Sequence, residues 1–189
     1  MTEKTFSIIE DFHQAALAAD LDYMIIGGFA ASYWGTPRFT ADVDFVIESK
    51  SFEKASRVAS ELGYSLAFLH PKQSFAHFVK TDQKGFRIDF MLVNENTWQT
   101  LFEELRLADL GGQQPYPIVS PLHLIAMKLH AAKQIDRTDS YKDLNDIAEI
   151  LISQNITIDD LEISDILEKH GTEKTLSQLR IIWDSKRSR

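Results

Sequence analysis

The chain has 189 residues, room for one domain or one domain with a small helical appendage. Hydrophobic residues make up 44% and charged residues 25%, ordinary globular values that exclude a disordered chain. The lack of cysteine excludes a disulfide framework, a thiolate metal site and a cysteine nucleophile, and a net charge of −8 argues against a general polyanion binder.

Charged residues within 1–12 stand where a signal peptide needs an apolar stretch. No run approaches the roughly 18 apolar residues that span a bilayer. With a mean hydropathy of −0.20, a soluble cytoplasmic protein with no membrane partner is expected. Phe6, Ile9, Phe12, His13, Ala16 and Leu17 recur at helical spacing and predict an amphipathic helix over 4–19. Residues 23–26 form a short apolar run ended by Gly27-Gly28, a buried strand, and a helix over 29–34 is stopped by Gly35 and Pro37. Val43, Phe45 and Ile47 alternate with Asp42, Asp44 and Val46 and predict a second strand. A helix over 51–62 ends at Gly63, and strands follow at 66–69, 75–80 and 87–93, the last two joined by a polar turn around Asp82–Gly85. A short helix at 96–105 and a strand near 116–120 close this part.

From Ser120 the period changes to 3.6. Ser120-Pro121 places a capping residue before proline at the first helical position, opening a helix through about Lys133. Further helices are expected near 139–153, 159–169 and 172–185. The architecture expected is α+β: a mixed sheet with an N-terminal helix over residues 1–119, then a helical bundle over 120–189.

Three features of the first part carry chemistry. Gly27-Gly28 ends a strand and opens a helix, where backbone without Cβ atoms can approach a phosphate and free N–H groups favour an anion. The same pair also occurs as a plain tight turn. Asp42 and Asp44 lie two apart on a strand, so both carboxylates project from one face. Hard oxygen ligands at that spacing suit magnesium together with substrate phosphates, though a solvent-facing strand edge would read alike. Asp89 stands inside the apolar strand Arg87–Val93, where an unpaired charge is costly. Beside the Asp42–Asp44 strand it would complete a three-carboxylate site for phosphoryl transfer; the other reading is a salt bridge to Arg87 or Arg38.

In this order, Ile25-Ile26-Gly27-Gly28, then Arg38-Phe39-Thr40-Ala41-Asp42-Val43-Asp44, then Asp89, the sequence resembles the nucleotidyltransferase superfamily of DNA polymerase β type. It is most similar to the AbiEii/MenT-like branch, the toxins of type IV toxin–antitoxin systems and their relatives. Lys128-Leu129-His130-Ala131, Arg137 and Tyr141-Lys142-Asp143-Leu144-Asn145-Asp146-Ile147 resemble that branch's helical motifs. The resemblance implies that Gly27 and Gly28 hold the triphosphate, with Arg38 contacting phosphate or base. It implies that Asp42, Asp44 and Asp89 bind Mg2+, Asp89 also taking the proton of the attacking hydroxyl. Lys128 would neutralise nucleotide phosphates, and Asp143 or Asp146 would orient that lysine or meet the nucleotide.

The activity implied is magnesium-dependent transfer of a nucleoside monophosphate from an NTP to an acceptor hydroxyl. A tRNA 3′ end, a protein hydroxyl and an aminoglycoside-type molecule are the acceptors in order, with a cognate antitoxin as partner. The rivals are an inactive nucleotide- or partner-binding relative and an antitoxin-like role. His123 and His130, at i and i+7, do not form a metal pair; Trp34, Trp98 and Trp183 read as packing residues; and 186–189 reads as a frayed, solubilising tail.

Overall fold

The computed structural model describes residues 3–72, 74–80, 86–112, 114–133 and 140–188. Helix α1 spans Glu3–Ala18, strand β1 Met24–Ile25, helix α2 Gly27–Trp34 and strand β2 Val43–Glu48. A 3-10 turn, Ser49–Ser51, leads into α3, Phe52–Glu61, which is followed by β3 (Ser65–Leu69), β4 (Phe75–Val79) and β5 (Arg87–Val93). Then come α4 (Glu95–Glu103), β6 (Arg106–Ala108), β7 (Tyr116–Ile118), and the helices α5 (Pro121–Ala132), α6 (Ser140–Ser153), α7 (Leu161–His170) and α8 (Glu173–Arg187). The α+β architecture with a mixed sheet is what the sequence predicts. The expected turn at Asp82–Gly85 and the expected Arg137 lie outside the described residues.

Packing divides the chain into two units. One holds the residues up to Ala30 together with Arg38–Ser120; the other holds Ala31–Pro37 and everything from Pro121. In the first, seven strands run in the order β3-β4-β5-β2-β1-β7-β6. Strand β2 pairs parallel with β5 and antiparallel with β1, while β1 pairs parallel with β7. Alternation sends Phe45, Phe78 and Phe90 to one sheet face, where all three are fully buried. Phe12 of α1 stacks on Phe45 with ring centroids 4.2 Å apart and meets the Tyr23 ring edge-on at 5.1 Å. Burying such rings contributes about 1.5–3 kcal/mol each, so this aromatic layer fixes which face of the sheet is core. The opposite face is left for polar chemistry.

Strand β6 is not anticipated by the sequence. Three residues are too few to show alternation, and Arg-Leu-Ala becomes strand only because it pairs with β7 at the sheet edge, Ala108 opposite Tyr116. Helix α4 starts where Asn94 accepts the Thr97 N–H at 2.9 Å, an N-cap.

In the second unit, buried Leu124, Ile125 and Leu129 of α5 and Leu144, Ile147, Ile150 and Leu151 of α6 recur at helical spacing. Gly35 lies so close to α6 that a Cβ there would stand 3.2 Å from the Ile150 nitrogen. Gln154 donates to the Trp34 carbonyl at 2.7 Å, which ties Ala31–Pro37 to the same helix. Lys186 and Arg187 are not part of a frayed tail, and Arg189 lies outside the described residues. Lys186 donates to Glu149, Arg187 lies over the Trp183 ring at 4.5 Å, and α8 runs through Arg187. Glu149 also accepts from Thr36 at 2.5 Å. Burial works to raise the Glu149 pKa, but the hydrogen bonds from Lys186 and Thr36 and the Lys186 charge leave it below the ordinary value. No helix among the described residues is long and apolar enough to cross a membrane.

Candidate active site

Register brings the acids together. Asp44 of β2 stands directly opposite Asp89 of β5, and Asp89 stands opposite His77 of β4. Because Phe45, Phe90 and Phe78 point to the core, Asp44, Asp89 and His77 share the other face. Phe68 of β3 continues the row, stacked on His77 with centroids 5.7 Å apart. A one-residue slip in any pairing would drive these carboxylates into the aromatic core, so the apolar pattern itself enforces their convergence.

Both oxygens of Asp89 are held. His77 Nδ1 lies 2.7 Å from Oδ1 and Arg87 Nε donates to Oδ2 at 2.8 Å. The same guanidinium reaches Asp42 through Nη2, 2.9 Å from Oδ2. Asp42 is more open than Asp89, its side chain 36% exposed against 14%. Partial burial disfavours the Arg87 charge, but Asp89, Asp42 and Asp44 outweigh it and hold the pKa above the ordinary value. All three acids therefore act on one cation.

The glycine turn meets the same cluster. Gly27 has φ +66°, and a Cβ built there would lie 2.0 Å from Asp44 Oδ2. Only glycine fits both the left-handed backbone and that approach. Helix α2 begins at Gly27 itself, two residues earlier than the sequence suggests, so both glycines belong to its first turn. The Gly28 N–H donates to Asp44 Oδ2 at 3.3 Å, placing a carboxylate at the electropositive head of the helix. Arg38 and Thr40 stand beside Gly28: a Cβ there would be 3.3 Å from Arg38 Nη2 and 2.8 Å from Thr40 Oγ1. The Thr40 carbonyl is fixed in turn by the hydroxyl of buried Thr5 at 2.9 Å.

Lys128, Asp143 and Asp146 come together in the second unit. Lys128 is 6% exposed, and its Nζ lies 3.2 Å from Asp143 Oδ1 and 2.7 Å from Asp146 Oδ2. The sequence poses a choice between the two acids; both hold the lysine. Lys128 is thus a buried cation held between two acids, whereas His130 and Lys142 are exposed.

Two residues beside the acids were not singled out from sequence. His77 is one, an isolated histidine whose relation to Asp89 exists only through the β4–β5 register. Thr40 is the other, legible as the polar member of the Arg-x-Thr-x-Asp run. Arg87 was foreseen only as a salt-bridge partner of Asp89, and it is that and more.

Among the described residues, no three His, Cys, Asp or Glu side chains form a ready-made metal cage. Two of the three acids, Asp42 and Asp89, are bridged by the Arg87 guanidinium. The donor set nevertheless fits magnesium, which is held by one or two carboxylates plus substrate phosphates and water more often than by an all-protein cage. Asp44 and Asp89, on one sheet face beside the glycine turn, and Asp42, which lies just before β2 and not on the strand as expected, supply only hard oxygen donors.

The protein-family model described as nucleotidyl transferase AbiEii toxin, type IV TA system, matches residues 13–188. No curated protein matches the chain. Among solved structures, the antibiotic-resistance factor ANT(2'')-Ia is similar with a TM-score of 0.60 at 13% identity, over 100% of this chain and 94% of that one. The lincosamide antibiotic adenylyltransferase LnuA is similar with a TM-score of 0.51 at 16% identity, over 83% of this chain and 99% of that one. The nucleotidyltransferase toxin MenT4 of Mycobacterium tuberculosis H37Rv is similar with a TM-score of 0.52 at 15% identity, over 88% of this chain and 66% of that one. At these identities the likeness is one of fold.

Proposed function

This chain belongs to the AbiEii nucleotidyl transferase toxin family, and from that premise we propose that it transfers a nucleoside monophosphate from an NTP to an acceptor hydroxyl, with magnesium. The acceptor oxygen attacks the α-phosphorus, the bond to the bridging oxygen breaks, and pyrophosphate leaves. The observation that carries this reading is the contact between the Gly27 turn and Asp44, which sets the backbone at the head of α2 directly against a carboxylate.

In this reading the Gly27-Gly28 turn at the head of α2 holds the triphosphate, with Arg38 beside it as a further cation. Asp42, Asp44 and Asp89 would hold the magnesium, which when bound neutralises phosphate charge and polarises the reacting oxygens. Asp89 takes the acceptor's proton, while His77 and Arg87 fix its two oxygens in one orientation. Most of the rate comes from positioning and charge, as is general for this chemistry. Lys128, held by Asp143 and Asp146, is a fixed cation of the helical unit.

The acceptor proposed is a tRNA 3′ end, with a protein hydroxyl and an aminoglycoside-type molecule as further candidates. A toxin role restrained by a cognate antitoxin follows from the family and is supported by the fold of MenT4. The test is transfer of labelled NMP from each of the four NTPs to total tRNA, to protein and to aminoglycosides, with Asp44→Asn as control. Label appearing on one acceptor class with the parent and not with the variant is expected. Equal transfer by the variant would overturn the reading.

A further inference from the structure

We propose that Arg87 is a resident countercharge of the acid cluster: its guanidinium holds Asp42 and Asp89 together and competes with the divalent cation for them. The inference rests on the reading of these acids as cation ligands and adds what sets the strength of that binding.

Arg87 lies two residues before Asp89 on β5, so both side chains leave the sheet on the same face. From there the guanidinium reaches acids on two separate segments, Asp89 of its own strand at 2.8 Å and Asp42, just before β2, at 2.9 Å. Asp44 adds to the field on it as well. Carboxylates gathered on one face repel, and an arginine is the side chain that can relieve this without ever losing its charge. Its Nε and Nη2 each offer an N–H to one acid, spaced and held in one plane by the guanidinium.

A divalent cation binding the same oxygens must therefore arrive against a fixed positive charge. The Arg87 side chain is 45% exposed, so it has room to swing away. Asp89 is not released by this, because His77 still holds its other oxygen. Three roles for Arg87 thus predict different signs. A plain structural ion pair predicts lower stability with unchanged metal affinity. A residue that only orients the ligands predicts weaker metal binding on its removal. A countercharge predicts lower stability without metal and tighter binding of metal.

The test is calorimetric titration of the full chain with Mn2+ alone, without nucleotide, for the parent, Arg87→Gln, Arg87→Lys and Asp89→Asn. Thermal melts in chelator accompany it, and circular dichroism checks the fold. Arg87→Gln is expected to melt lower in chelator and to bind Mn2+ about tenfold tighter, since one charge at contact distance shifts carboxylate affinities by about one to three decades. Arg87→Lys should fall between the two, and it keeps the test alive if the glutamine variant does not fold. Binding by Arg87→Gln equal to or weaker than the parent's overturns the inference. If Asp89→Asn meanwhile loses Mn2+, the ligand reading stands and only the countercharge falls. If neither the parent nor any variant binds Mn2+, the ligand reading itself fails and the countercharge with it.

Discussion

Gly27→Ala tests the contact between the glycine turn and the acid cluster with a single methyl group. The Cβ would stand 2.0 Å from Asp44 Oδ2, 2.4 Å from its Cγ and 2.6 Å from its Cβ, where an ordinary contact begins near 3.4 Å. Asp44 must therefore retreat by about 1.4 Å, or the head of α2 must move as far. The backbone adds strain, because φ +66° costs an L-residue roughly 1–2 kcal/mol. A displacement of that size at a reacting centre lowers a rate by about a hundredfold or more. Gly111→Ala is the control. It has φ +82° but nothing within 4 Å of its Cβ, so it carries the backbone strain alone. Both variants should lose about 1–2 kcal/mol in urea titrations, Gly27→Ala somewhat more, and only Gly27→Ala should lose NMP transfer. Parental transfer by Gly27→Ala would refute the idea that Asp44 and this turn act together.

Asp44→Asn should keep the fold while transfer falls by about three decades, the usual size of losing a metal ligand in such chemistry; a parental rate would remove Asp44 from the mechanism. Lys128→Ala leaves Asp143 and Asp146 buried without their cation, and urea titration should show a loss of about 3–5 kcal/mol, against less than about 0.5 kcal/mol for exposed Lys142→Ala. A small loss at Lys128 would mean that the acids are solvated. Burial lowers the pKa of His13, partly opposed by the Glu10 charge, and its ring is held by the Tyr23 hydroxyl at 2.7 Å. The neutral form is the folded one, so its contribution to stability is complete above the ordinary pKa of about 6.5 and is lost as pH falls from there through the lowered value. The urea midpoint of the parent should fall over that range more steeply than that of His13→Gln, and parallel slopes would rule His13 out.

Much of this protein is legible in its sequence. The helix over 4–19, the strand at 87–93 and the break at Ser120-Pro121 are local matters, since apolar periodicity, glycine and proline act within a turn or two of themselves. The acids were legible too, because alternation puts Asp44 on the face opposite Phe45 whatever the strand later pairs with. What the sequence could not supply is which strands become neighbours. His77 meets Asp89 only through the register of β4 on β5, and Phe68 meets His77 only through that of β3 on β4. The burial of Lys128 is likewise a tertiary matter, for a lone lysine on an apolar helix gives no sign that two acids fifteen or more residues later will enclose it. The same holds for Arg87. Its sequence position predicts a bond to Asp89, but the second bond, to Asp42, requires two strands far apart in the chain to lie side by side, and that is decided by the aromatic core beneath them.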